Sequence, residues 1–290
     1  MINKKLSKIG FLFSLPTILF FLFFISIPVI FTIVLTFADW KGYDLNQIKF
    51  IGFVNFSEVF RDKIFLKSFL NTAIFVGFTT LFLNLFGFIG AMIIDQKVAG
   101  ARFLKNTIFL PVLLSPIIIG IMWSRMLDAF GVINKILQAA GFIKLPILFL
   151  GSSKIALYTV IVATLWQFTG YDMLLYYAGL QGIENHLLEA ARIDGATEFK
   201  VTTRIIIPTL SPVITITMLL NIIGGFKVFE IVYVMTAGGP NHGSEVLATY
   251  LFQQAFRFNN MGFSSVIAMV IVFISLIVSV IRLRVTNREV

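Results

Sequence analysis

Six stretches of this chain run for more than twenty residues almost without charge, and that pattern leaves few folds open. A helix rises about 1.5 Å per residue, so about 20 apolar residues cross the hydrocarbon core of a bilayer. Within lipid every backbone N–H and C=O has to be paired inside the structure, which restricts spanning elements to helices and closed barrels. The runs cover residues 11–37, 68–94, 103–127, 155–180, 205–226 and 258–281. All are far longer than a barrel strand needs. The expected fold is all-α: a polytopic membrane helical bundle of six transmembrane helices. Residues 1–67 would form the first helix with its outer loop, and 68–290 a five-helix core.

Composition agrees. Charged residues make up 13% of the chain and hydrophobic ones 58%, where a soluble domain carries about 25% charge. The 33 Phe, many inside the uncharged runs, suit a surface that faces membrane lipid. With no Cys, disulfides and thiolate metal sites are excluded. The net charge of +9 is dispersed between apolar runs rather than gathered on a polar face, so no nucleic-acid surface is expected. Lys4, Lys5 and Lys8 precede the first run, as in a signal peptide. That run is about twice the length of a signal h-region and no small-residue cleavage site follows, so a retained helix is expected.

Lysine and arginine orient the bundle. With the N-terminus in the cytoplasm, the inner segments 1–10, 95–105, 181–204 and 282–290 hold 12 basic residues in 54 positions. The outer segments 38–67, 128–154 and 224–263 hold 10 in 97. The inner density is about twice the outer, which favours both termini in the cytoplasm.

The longest inner loop, 181–204, contains Glu189-Ala190-Ala191, then Asp194-Gly195-Ala196, and leads into Ile205, Ile207 and Pro208. Asn185 is suited to cap a short helix over 186–193, and Gly195 to end it, since glycine turns left-handed at little cost. Ala190 and Ala191 leave a small-residue face that another protein can approach closely, with Glu189 and Asp194 as charged borders. On physics alone, a docking knob and a plain connector both remain open.

At these residues the chain resembles the permease subunits of bacterial binding-protein-dependent ABC importers. Their signature loop reads E-A-A, three residues, G, nine residues, I-x-L-P, and only the Leu position departs here, to Ile207. The resemblance extends to residues 166–171 and 178–183, and to 226–240 with Gly238-Gly239-Pro240. These segments are similar to the carbohydrate branch, specifically the first of its two permeases, such as those for maltose and glycerol-3-phosphate. Glu184 stands where the family usually has Pro, and Thr202 where an aromatic is common. The resemblance implies a bacterial inner-membrane subunit that forms half of a solute pathway. It implies four kinds of partner: a second, homologous permease, an ABC ATPase dimer that docks on the loop, an extracytoplasmic solute-binding protein and a small-molecule carbohydrate. No cofactor is expected on this chain, because it lacks the G-x-x-x-x-G-K-[ST] loop that cradles phosphates and leaves ATP to the partner.

Polar groups at bilayer depth are costly and face a cavity or another helix. In the fourth run Thr164, Gln167 and Tyr171 share one helical face with Phe168 between them and Asp172 at its edge. Hydrogen-bonding groups beside aromatic surface suit a carbohydrate, and polar contacts between helices are the other reading. In the resembling maltose permease, sugar contacts fall at positions matching Thr164, Gln167, Phe168 and Tyr171, of which only the Tyr is the same type. In the fifth run Asn221, Gly224 and Gly225 allow close approach. Lys227 and Glu230 follow as either an ion pair or solute contacts. Pro111, Pro116, Pro208 and Pro212 are positioned to bend helices.

Two other functions compete with this reading. A membrane enzyme lacks its machinery: the only His residues, His186 and His242, fall on opposite sides of the expected topology, and no metal cluster or nucleophile–base pair assembles. A self-contained ion-coupled transporter would show inverted repeats and more membrane carboxylates than Asp172.

Overall fold

The computed structural model describes residues 13–96 and 100–286. Lys4, Lys5, Lys8 and Lys97, the start of the first run and both extreme ends lie outside the described residues. The chain groups into two compact units, one reaching to Asp62 and taking in Leu251–Val270, the other holding Lys63–Tyr250 and the residues from Ile271. The expected division after residue 67 falls inside a helix.

In the first unit, α1 (Phe13–Leu35) is apolar on every side and only 6% of its span window is buried, as a lipid-facing helix requires. A two-residue antiparallel pair, β1 (Ala38–Asp39) and β2 (Lys49–Phe50), follows with Ala38 opposite Phe50. The short α2 (Val54–Arg61) is anchored to it by buried Asn55, whose Nδ2 donates to the carbonyls of Thr36 and Ala38 at 3.0 and 2.9 Å. One buried amide thus satisfies the carbonyl that ends α1 and the one that opens β1.

The second unit contains α3 (Lys63–Asp95), α4 (Ala101–Phe109), α5 (Pro116–Met126), α6 (Val132–Ala139), α7 (Ala156–Leu180), α8 (Asn185–Ile193), α9 (Glu198–Thr209), α10 (Ser211–Phe226) and α11 (Glu230–Thr236). Then α12 (Leu247–Phe252) and α13 (Met261–Thr286), each divided between the two units, complete the order. Among the described residues three helices are long and apolar enough to cross a bilayer: α1, α3 and the Met261–Ile281 part of α13. Two bent pairs raise the number to five if each is one span, α4 with α5 at 101° and α9 with α10 at 68°. The bends fall at Pro111 and Pro116 in the first pair and beside Pro208 and Pro212 in the second. Proline cannot donate to the preceding turn and its ring crowds the carbonyl four residues back, which is why the ladder breaks there.

The core of this unit is the face between α3 and α7. Glycines set its spacing, as in close-packed membrane helices. A Cβ on Gly87 would come within 3.0 Å of the Asp172 carbonyl carbon and the Met173 nitrogen, and one on Gly90 within 3.1 Å of the Met173 side chain. One apolar cluster joins Phe75, Ile119, Val160, Ile231 and Met235. Another joins Ala91, Met173, Tyr176, Leu180, Val201 and Leu210 at the end of the bundle that carries α8.

Candidate functional site

Two features hold the residues singled out in the sequence. The first is a cavity of about 390 Å³ walled by α3, α5, α7, α10 and α11, within the range of small-molecule sites. Six of the eight pathway candidates line it: Thr164, Phe168 and Tyr171 from one face of α7, and Asn221, Gly224 and Gly225 from the end of α10. Phe75 adds a further aromatic surface. Gly225 brings the α10 backbone against Val76 of α3, so the wall is thin there.

Gln167 and Asp172 do not line the cavity. Gln167 is buried on the α5 side, where its Nε2 donates at 3.1 Å to the carbonyl of Leu114 in the break between α4 and α5. That carbonyl lies in the break between the two helices, and the Gln167 amide satisfies it. Asp172 is fully buried, and its Oδ2 accepts from Asn221 Nδ2 at 2.6 Å. A seven-residue window resolves a helical face only coarsely, and these two side chains fall at the margins of the one that meets the cavity.

Lys227 and Glu230 also line the cavity and form no ion pair with each other. The chain leaves the α10 helix after Phe226 and enters α11 at Glu230, so the two side chains do not hold the i, i+3 relation of a continuous helix. Of the two readings, contact with the cavity is the one the geometry allows.

The second feature is the α8 knob. Its N-cap is Glu184, with no side-chain cap bond, rather than Asn185, which is the first helical residue. The C-terminus behaves as expected. Gly195 lies at φ +81°, the Gly195 N–H bonds to the Arg192 carbonyl at 3.1 Å, and the Ala196 N–H bonds to the Ala191 carbonyl at 3.0 Å. This is a Schellman end, with bonds spanning four and six residues. The motif residues divide by role. Ala191 and Ala196 turn inward and pack on the core cluster with Leu188, while Glu189, Ala190, Asp194 and Gly195 are exposed. Ile193 and Phe199, at 86% and 77% exposure, add an apolar surface that the motif does not announce. Arg192 joins Glu198 by a 2.8 Å ion pair across the turn.

The Gly238-Gly239-Pro240 segment is held by side chains of α3 and of its own loop. Asn71 Nδ2 donates to the Glu245 carbonyl at 2.9 Å, and Lys67 Nζ to that of Asn241 at 2.8 Å. Gly238 sits at φ +84°, where a Cβ would fall on the Glu245 carboxylate. His242 Nδ1 lies 3.1 Å from that carboxylate, an i, i+3 pair within one loop.

Residues 84–287 match the family described as binding-protein-dependent transport system inner membrane component. The chain belongs to this family. The permease is 31% identical over 98% of its length to the probable ABC transporter permease protein YurN of Bacillus subtilis (strain 168), covering 97% of that protein. It is 31% identical to the lactose transport system permease protein LacF of Rhizobium radiobacter, over 94% of this chain and 92% of the relative. Its fold matches a subunit in the crystal structure of a bacterial ABC transporter that imports the acidic polysaccharide alginate. The TM-score is 0.85 at 22% identity, over 99% of this chain and 98% of the other. The protein is thus a transport component of the inner membrane, and α8 carries the loop motif within the matched region.

Proposed function

We propose that this permease forms half of the solute pathway of a sugar importer and transmits ATP hydrolysis to it through α8. The observation that carries the reading is the exposed knob Glu189–Gly195, closed by Gly195 and seated on the core through Ala191 and Ala196. Such an element moves as one body with α7 and α10, whose ends root it. In this reading six helices span the membrane, α7 joining the five as the fourth in chain order, with both termini in the cytoplasm and 68–290 as the transport core. ATP binds to an ABC ATPase dimer, whose closure draws α8 inward and reorients the helices. The docked binding protein then releases solute into the cavity shared with a second, homologous permease.

Carbohydrate fits the cavity because aromatic faces of Phe168 and Tyr171 stand beside Thr164, Asn221, Lys227 and Glu230. Lactose, in the name of one relative, is a solute of this kind. An ion-coupled transporter finds little support: Asp172 is enclosed and already bonded to Asn221.

Purification in mild detergent tests this. A homologous permease and a soluble ATPase should accompany the chain in a fixed ratio, and ATP should drive uptake of sugar delivered by a binding protein. Recovery of the chain alone, with uptake driven by an ion gradient, overturns the proposal.

A further inference from the structure

We propose that Asp172 is a positioning residue: through Asn221 it gives the cavity wall an accepting character that selects uncharged, hydroxyl-donating sugars over acidic ones. The inference rests on the cavity being the solute pathway. A carboxylate accepts hydrogen bonds and cannot donate them. The Asn221 amide must therefore turn its nitrogen to Asp172, 2.6 Å away, and the partner's chemistry fixes the orientation. Among the described residues nothing donates to the Asn221 carbonyl oxygen, and Asn221 lines the cavity, so that oxygen is the end left for solute.

Asp172 has little freedom to release its partner. Gly87 lets the α3 backbone close on it from behind. One turn away, Asn84 Oδ1 accepts from Tyr176 at 2.7 Å and from Thr217 at 2.6 Å, which pins α3, α7 and α10 at the same level. Asp172 and Tyr176 are one turn apart on α7, as Thr217 and Asn221 are on α10, so the two bonds form adjacent rungs.

Two threonines share this polarity. Thr164 Oγ1 donates to the Val160 carbonyl at 2.9 Å and Thr79 Oγ1 to that of Phe75 at 2.7 Å. Each hydroxyl hydrogen is committed within its own helix, and only lone pairs remain for the cavity. Glu230 is a fourth acceptor. The side-chain donors in the lining are Lys227 and the Tyr171 hydroxyl, two against these four acceptors. A sugar hydroxyl donates to such a wall. A uronate carboxylate, which only accepts, meets acceptors it cannot satisfy and loses the net worth of those bonds, about 1 kcal/mol or fivefold each.

Calorimetric binding to the intact permease–ATPase complex in nanodiscs, without the binding protein, tests the proposal with maltotriose and trigalacturonate as probes. The wild-type complex should bind maltotriose about 25-fold more tightly, two such bonds being the difference. Asp172→Asn can donate as well as accept, which frees the Asn221 amide to turn, and the preference should fall to about threefold or less. The exchange Asp172→Asn with Asn221→Asp restores an acceptor on the wall and with it the preference. A merely structural role would lower the melting temperature of D172N and leave the ratio of the two affinities alone. Equal or tighter binding of trigalacturonate by the wild type overturns the selectivity, and an unchanged ratio in D172N overturns the role of Asp172. If neither sugar binds, the carbohydrate reading beneath the proposal fails, and the proposal with it.

Discussion

Arg192 Nε stands 2.8 Å from Glu198 Oε1, so the helix that carries Glu189-Ala190-Ala191 is tied to the start of the next one. Both side chains are open to water, and an exposed pair contributes little to global stability. Its effect is on the angle between α8 and α9. Arg192→Ala or Glu198→Ala should leave the melting temperature of the complex unchanged while reducing uptake per ATP hydrolysed. The reversed pair, R192E with E198R, should recover coupling. Measured stoichiometry of transport against hydrolysis decides it, and unaltered coupling in both single variants would show the pair to be idle.

Gly195 offers a sharper test of the knob. Nothing lies within 4 Å of a Cβ added there, so Gly195→Ala meets no clash and acts only through the backbone. An L-residue at φ +81° costs about 1–2 kcal/mol, a factor of 5 to 30 in the population of the closed turn. ATPase retained on the permease after detergent washing should fall accordingly. Ile193→Asp and Phe199→Asp should lower it further without lowering the melting temperature, since both side chains are exposed.

The two glycines Gly77 and Gly87 lie on the same helix and should behave oppositely. A Cβ at Gly87 would press on the α7 backbone at Asp172 and Met173, whereas one at Gly77 meets nothing within 4 Å. Gly87→Ala should cost about 1–3 kcal/mol as an overpacked contact. Gly77→Ala should be neutral or stabilising by about 0.5–1 kcal/mol, through reduced freedom of the unfolded chain and better helix propensity. Thermal unfolding of the two variants in one detergent separates them.

Much of this was legible in the sequence, for identifiable reasons. Long uncharged runs announce spanning helices because lipid leaves the backbone no other partner. Gly195 announced its turn because few residues adopt that φ. The division of the loop motif was not legible: nothing in Glu189-Ala190-Ala191 says that Ala191 packs inward while Ala190 stays out. Nor was the role of Gln167, which depends on a carbonyl freed by a proline bend 53 residues away in sequence. The α7 face was drawn too broadly for the same reason. Thr164, Phe168 and Tyr171 reach the cavity, but Asp172, one residue on, turns about 100° away and meets Asn221 instead.

Lys227 and Glu230 carry the last prediction. Opposite charges at i, i+3 on one helix would stabilise each other, and removing one would leave the other to be desolvated alone. Here the helix is interrupted between them and no ion pair forms, while both side chains border the cavity. Lys227→Met and Glu230→Gln should therefore each leave the melting temperature within a degree or so, as for surface substitutions of about 0.5 kcal/mol or less. Their effect should appear in transport. Glu230→Gln exchanges a charged acceptor for a neutral one and should raise KM for a neutral sugar by about fivefold to tenfold, the difference of about 1 kcal/mol between hydrogen bonds to charged and to neutral groups. Lys227→Met removes the only side-chain cation among the described cavity residues, and any uptake of an acidic sugar should fall with it. A loss of stability in either variant, with KM unchanged, would mean that the charges act on the fold and not on the solute.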